Sequence, residues 1–267
     1  MPRGHRDWFV YTDQYAFADI DTGEICARIG SPYVYLRGGR AIYLTGFECD
    51  VNDWNASISA GAVNPLSRFV GDSEISGLRP LRGSACAKIA ASIVADGDGN
   101  KWAQANKLLP AIWSGNLGLE VSIAPDANAQ RFYLELHSDD GGITRAAGIC
   151  IDFVNKKLYY RSGTATVALT SFTEFADQPG GDWLPVAGQS LRWGHIKLLV
   201  DSGLTEYLDF ILNGRSFADE IGGVAITTGA FPATSFDRLL IQVGVLDNDG
   251  SAGCVYFDDL VVTQDEP

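Results

Sequence analysis

The feature that most constrains the fold is punctuation. Short runs rich in Val, Ile, Leu, Phe and Tyr are separated by clusters of Gly with Asp or Asn. These clusters are Asp96-Gly97-Asp98-Gly99-Asn100, Asp139-Asp140-Gly141-Gly142, Asp201-Ser202-Gly203, Asn213-Gly214 and Asp247-Asn248-Asp249-Gly250. Such residues reach the backbone conformations that tight turns need, so the pattern is that of antiparallel strands joined by short connections.

The runs themselves alternate. In Phe132 to His137, Phe132, Leu134 and Leu136 share one face and Tyr133, Glu135 and His137 the other. In Trp193 to Val200, Ile196, Leu198 and Val200 oppose His195 and Lys197. In Tyr207 to Leu212 the apolar set is Leu208, Phe210 and Leu212. Residues 195–212 therefore read as one hairpin whose polar face carries His195, Lys197, Tyr207 and Asp209. Further strands are expected over 85–94, 117–124, 147–153, 157–161, 238–245 and 254–262. About ten to twelve strands without α/β alternation give an all-β, two-sheet antiparallel sandwich. Single helical turns are expected near 172–177 and 216–221, and no repeat of 20 to 50 residues is visible.

Composition narrows the function. The chain has 33 acidic and 20 basic side chains, a formal charge of −13, and no Lys/Arg cluster. That balance argues against nucleic acid and against an anionic membrane surface. No apolar run is long enough to span a bilayer. The opening residues Met1 to Trp8 lack an apolar core, so no secretory leader is expected. The five cysteines are widely spaced and never form a C-x-x-C pair, which fits buried free thiols made in a reducing compartment.

Residues 1–44 differ from the rest. They are dense in aromatics, among them Trp8-Phe9, Tyr33 and Tyr35, and have no helical period. They read as an extended N-terminal arm with short strands, ahead of a sandwich over 45–267. The arm's aromatics need a surface: the chain's own sandwich, a neighbouring subunit or a larger assembly.

The order of Gly46-Phe47-Glu48, Trp54, Leu81 to Ile89, Gly118-Leu119-Glu120-Val121, the 132–137 strand, the 147–161 hairpin, Trp193-Gly194-His195-Ile196-Lys197-Leu198 and Val255 to Val262 resembles the concanavalin A-like lectin/glucanase superfamily, with its laminin-G-like jelly rolls. The resemblance covers about residues 45–263 and implies a jelly-roll fold. It also implies a structural Ca²⁺ held by an acidic residue of the first strand and an Asp of the last, here Glu48 and Asp258. The oxygens of neighbouring first and last strands would meet there.

Three chemistries compete. Retaining glycoside hydrolysis needs two carboxylates about 5 Å apart, which alternate strand positions supply. Glu135 has His137 where the second would stand, and Asp139 and Asp140 fall at the turn, a departure from the glucanase pattern. A polysaccharide lyase would pair His137 or His195 with Tyr133 or Tyr207. Its polyanionic substrates usually meet basic clefts, unlike this acidic chain. Binding without turnover asks for less: an aromatic platform and polar strand faces. Trp183, in the Gly180-Gly181-Asp182-Trp183 loop, is the exposed indole candidate, with Tyr133, Tyr207 and Lys197 as polar contacts. Trp54 and Trp193 fit core or edge positions, and Asp96 to Asn100 lacks the remainder of an EF-hand and reads as a turn.

A glycan-type domain, no leader and an aromatic arm meet in one setting, a virion. The opening Gly4 to Phe9 and Asp21 to Ile25 is similar to bacteriophage virion-associated chains of this size. The expectation is a non-enzymatic virion surface protein, either a capsid decoration or a tail-associated module. It would be homo-oligomeric, with the arm docking on other virion proteins and glycans as further partners. A free carbohydrate-binding module is the alternative, and a lyase or hydrolase follows it.

Overall fold

In the computed structural model the described residues are 40–47, 51–59, 65–70, 85–91, 101–109, 115–140, 143–163, 172–177, 193–229, 239–247 and 253–266. Glu48, Trp113 and Trp183 lie outside them, as do residues 1–39 of the arm.

The strands in chain order are β1 (Arg40–Thr45), β2 (Asn55–Ile58), β3 (Leu66–Val70), β4 (Ala85–Ala90), β5 (Lys101–Leu109), β6 (Asn116–Pro125), β7 (Arg131–Asp140) and β8 (Ile143–Asp152). They continue with β9 (Lys157–Arg161), β10 (Phe172–Asp177), β11 (Gly194–Val200), β12 (Tyr207–Leu212), β13 (Arg215–Ser216), β14 (Thr227–Gly229), β15 (Leu239–Asp247) and β16 (Cys254–Glu266). A one-turn helix, α1 (Ala218–Ile221), follows β13. Two eight-stranded antiparallel sheets result. The first runs β13-β12-β11-β6-β16-β4-β3, with β1 also on β16. The second runs β10-β9-β8-β7-β15-β5-β2, with β14 also on β8.

The alternation read from the sequence sets the core. Ile196 and Leu198 of β11 and Val121 of β6 line the inner side of the first sheet. They are buried in one cluster with Phe132, Leu134 and Leu136 of β7 and Ile241 and Val243 of β15 in the second sheet. This is the all-β two-sheet sandwich that the sequence predicts.

Each sheet has one place where a long strand changes partner. One flank of β16 pairs with β4 over Cys254–Phe257 and with β1 over Leu260–Gln264. Between them a bulge at Asp258–Asp259 puts Asp259 at φ 50°, and the Asp259 amide donates to the Asp258 carboxylate at 2.8 Å. β1 thus belongs to the sandwich and crosses the expected boundary at residue 44.

β8 likewise pairs with β9 over Ile149–Asp152 and with β14 over Thr144–Ala146. The Tyr207 hydroxyl fills the gap. It accepts from the Gly148 amide at 2.9 Å and lies 3.2 Å from the carbonyl oxygens of both Gly148 and Arg161, to one of which it donates. This corrects the expectation that Tyr207 lies on a polar face: it is fully buried between the sheets. The cause is a bulge in the β11–β12 pairing, where Val200 faces Tyr207 and Leu199 faces Asp209. The extra residue, Leu208, is turned out of the core, and Tyr207 takes its side. Tyr207→Phe removes the hydroxyl that accepts from the buried Gly148 amide, so we expect a loss of about 2–3 kcal/mol in urea unfolding. An unchanged midpoint would show that the ladder gap closes without the hydroxyl.

Two further expectations change. Residues 172–177 form a strand, β10, not a helical turn, because β9 offers an open edge and Phe172, Thr173 and Phe175 suit a pleated surface. β5 matches none of the expected strands. Its inward residues are small (Ala103, Ala105), so its hydrophobic alternation is faint.

Candidate functional site

The outer face of the second sheet gathers most of the candidate residues. Tyr133, Glu135 and His137 project there from β7, as the period of two requires. Register brings Gln242 of β15 and Gly148 of β8 beside Glu135, and Gly244 and Cys150 beside Tyr133. Both glycines are needed for close approach. A Cβ on Gly148 would sit 2.6 Å from the Glu135 Cγ, and one on Gly244 would run into the Tyr133 ring. The two side chains therefore lie flat across neighbouring strands.

Glu135 is the hub. One carboxylate oxygen pairs with the Arg161 guanidinium of β9. The other meets His137 Nε2 at 2.8 Å and accepts from the Gln242 amide at 3.3 Å. Glu135 is fully buried and Arg161 is 2% exposed. Burial acts to raise the Glu135 pKa, but the charges and hydrogen bonds of Arg161 and His137 outweigh it and hold the carboxyl below its ordinary value. Burial, aided by the Glu135 charge, pushes the Tyr133 hydroxyl well above the usual phenol range. Its oxygen lies 3.5 Å from Gln104 Oε1. Burial likewise raises the Cys150 thiol.

Next to this hub the face opens. β5 and β2 continue the same rows outward, with Asn55 opposite Asn106, which is opposite Gln242, and Ser57 opposite Gln104. Asn55 is exposed, and Ser57, Gln104 and Asn106 are half-buried. Trp102 stands one row further along β5, half-buried against the cluster of Tyr133, Phe172 and Leu246. A flat aromatic thus borders five amide or hydroxyl side chains. The sequence points to Trp183 for this role and leaves Trp102 unassigned. Strict alternation of Gln104 and Asn106 with Ala103 and Ala105 is the signal that places it outward.

The remaining candidates lie elsewhere. His195 and Lys197 are on the outer face of the first sheet, both nearly fully buried. Lys197 Nζ is 3.2 Å from Glu120 and 2.9 Å from both oxygens of Glu266, and His195 Nε2 is 3.6 Å from Glu120. Ser122 Oγ lies 3.5 Å from His195 Nδ1. Tyr207 is between the sheets. The pairings of His195 with Tyr133 or Tyr207 therefore do not form, because the first sheet stands between His195 and Tyr207 and both sheets between His195 and Tyr133. Only Tyr133, Glu135 and His137 come together. Trp54 packs in the core with Phe47 and Phe257, as its position suggested, and Trp193 is half-buried beside Tyr256 on the first sheet.

Asp258 is fully buried, and Gly46 lies beside both its carboxylate and that of Asp259. Among the described residues no group of three or more His, Cys, Asp or Glu is arranged to hold a metal ion. Two carboxylates fall short of the six to eight oxygens Ca²⁺ takes, so the described residues alone do not make the implied site. Cys86, Cys150 and Cys254 are buried free thiols, as expected.

No family model and no curated protein matches the sequence. Solved structures do resemble its fold. An endo-β-1,4-glucuronan lyase from the fungus Trichoderma reesei shares 11% identity over 84% of this chain and 95% of its own, with a TM-score of 0.47. The cellulose-induced protein Cip1 shares 12% identity over 84% and 98%, with a TM-score of 0.43. Lectin I-B4 from Griffonia simplicifolia, in its metal-free form, shares 10% over 82% and 96%, also at 0.43. The likeness is one of fold. The architecture, read from the chain's own strand pairing, is an antiparallel two-sheet sandwich, as the sequence predicts.

Proposed function

We propose that the protein binds carbohydrate without turning it over, on the outer face of the second sheet. The observation that carries this reading is the row of Asn55 and Asn106, backed by the buried Gln242 and bordered by Trp102. An amide both donates and accepts, which matches a sugar hydroxyl, and a half-buried indole offers a flat apolar surface for a sugar's C–H face. The hub beside the row is a foundation rather than catalytic machinery. A carboxyl held below its ordinary pKa is a poor proton donor, and a phenol held well above its own stays protonated and so does not serve as a base. The second carboxylate of a hydrolase is replaced by His137, whose ring is bound to Glu135.

The test is a panel of immobilised polysaccharides probed with the full chain. Trp102→Ala is expected to lower affinity for the retained glycan at least tenfold, with the melting temperature lowered by only a few degrees. Equal retention of both proteins would refute the site, and release of reducing ends or unsaturated products would refute the non-catalytic reading.

The virion setting and homo-oligomeric state are separate parts of the proposal. They rest on the aromatic arm and enter no step of the argument above. Banding of the chain with intact particles in a density gradient, and sedimentation of the purified chain, are their tests.

A further inference from the structure

We infer that the ligand of this face is an uncharged glycan, and that uronate or sulfated chains are discriminated against. The inference rests on the carbohydrate-binding reading and narrows its substrate class.

It is carried by where the charges on the face are, and how each is engaged. On the outward side of β2, β5 and β15 the described residues carry no charge: the rows there are amides, Ser57, Trp102, leucines and Gly244. Every charged side chain described on this face belongs to β7, β8, β9 or β10, and each cation there has a carboxylate of the same face as partner. Arg161 and His137 share Glu135. Arg131 Nε donates to Asp152 at 2.7 Å, and Asp152 is fully buried. Lys157 lies 2.9 Å from Glu174 and 2.6 Å from Asp177. Lys107, on β5 itself, projects to the opposite side and pairs with Asp53.

Among the described residues, an anionic sugar placed on the amide row therefore meets no cation of this face that is not already committed. To gain an ion pair with a cation described there it would have to compete with that cation's own carboxylate; at Arg161 this would leave the buried Glu135 without its guanidinium partner. It would also approach a chain of net charge −13. A neutral sugar meets neither obstacle, because the amides answer hydroxyls and the indole answers C–H groups. The half of the face that accepts it is the half without charge.

The experiment compares neutral hexaoses (cello-, laminari- and manno-oligosaccharides) with an oligoglucuronate of the same length, by calorimetry at 20 and 500 mM NaCl. A neutral oligosaccharide is expected to bind with an affinity that salt leaves unchanged within twofold, and the uronate at least tenfold more weakly at low salt. Asn55→Lys, at an exposed position beside the row, is expected to raise uronate affinity in a salt-sensitive way. Uronate binding as tight as neutral binding by the wild type would overturn the inference and leave the carbohydrate-binding reading intact. An Asn55→Lys variant with unaltered uronate binding would also overturn it, by removing the ligand from this half of the face. A protein that binds none of these sugars would overturn the reading itself, and the inference with it.

Discussion

Replacing Lys197 by Met is expected to destabilise the protein by about 3–5 kcal/mol, one of the two largest effects of any single change discussed. The ammonium sits between Glu120 and Glu266, whose side chains are 0% and 1% exposed. Met fills similar volume, so packing loss is small and the cost is that of two buried carboxylates deprived of their cation. His195, 3.6 Å from Glu120, offsets part of this only when protonated. The urea midpoint of the variant measures the loss. Adding Glu120→Gln and Glu266→Gln should restore most of it, since the triple variant buries no unpaired charge. A Lys197→Met protein as stable as wild type would mean that water reaches these carboxylates.

The second large effect is at Arg161. Arg161→Leu leaves Glu135 fully buried without its guanidinium, and a loss of about 3–5 kcal/mol is expected at neutral pH. This loss should depend on pH, and its sign follows from the direction of the Glu135 shift. In the wild type the folded-state carboxyl lies below its ordinary value, so its contribution is complete above the unfolded pKa of about 4.3. That contribution is lost as pH falls through the lower folded value. In the variant the guanidinium no longer opposes burial, so the folded carboxyl titrates higher and takes up a proton earlier. The stability gap between the two proteins should therefore narrow as pH is lowered from 7 towards 4. A gap that stays constant over this range would show that Glu135 is not the group responsible.

Both effects concern positions whose chemistry the sequence hid. Period two placed His195 and Lys197 on one face and Glu135 and His137 on another, and the structure keeps those assignments. It could not show that the two faces are opposite sides of one sandwich, because that depends on which strands share a sheet. β11 pairs with β6, and β7 with β15, across long stretches of chain, whereas the β7–β8 hairpin is local. Tyr207 was misplaced by a single bulged residue, Leu208, which reverses the alternation on one side of it. Trp102 is hard to place from the sequence because β5 buries Ala103, Ala105 and Lys107, with Leu109 its one large apolar core residue, so its period of two is weak in hydrophobicity. The hub at Glu135 needed Gly148 and Gly244 as well as the charged groups, and neither glycine stands out in a chain that has 30.

What ties these details to function is the division of the second sheet's outer face. Its β7–β10 half is charged but internally paired, and closed to solvent around Glu135 and Asp152. Its β2–β5–β15 half is uncharged, polar and partly open, with Trp102 at its border. Glu135 of the first half holds the buried Gln242, and the second half presents Asn106, half-buried, and Asn55, exposed.

The central claim is that a sugar rests on Trp102, and the indole N–H signals of the six tryptophans test it directly. The Trp102 signal, assigned from the spectrum of Trp102→Phe, should move saturably as a neutral hexaose is added. The Trp54 signal, from the core, should stay in place as an internal control. A static Trp102 signal at saturating sugar, or movement confined to Trp193 on the other sheet, would contradict the account.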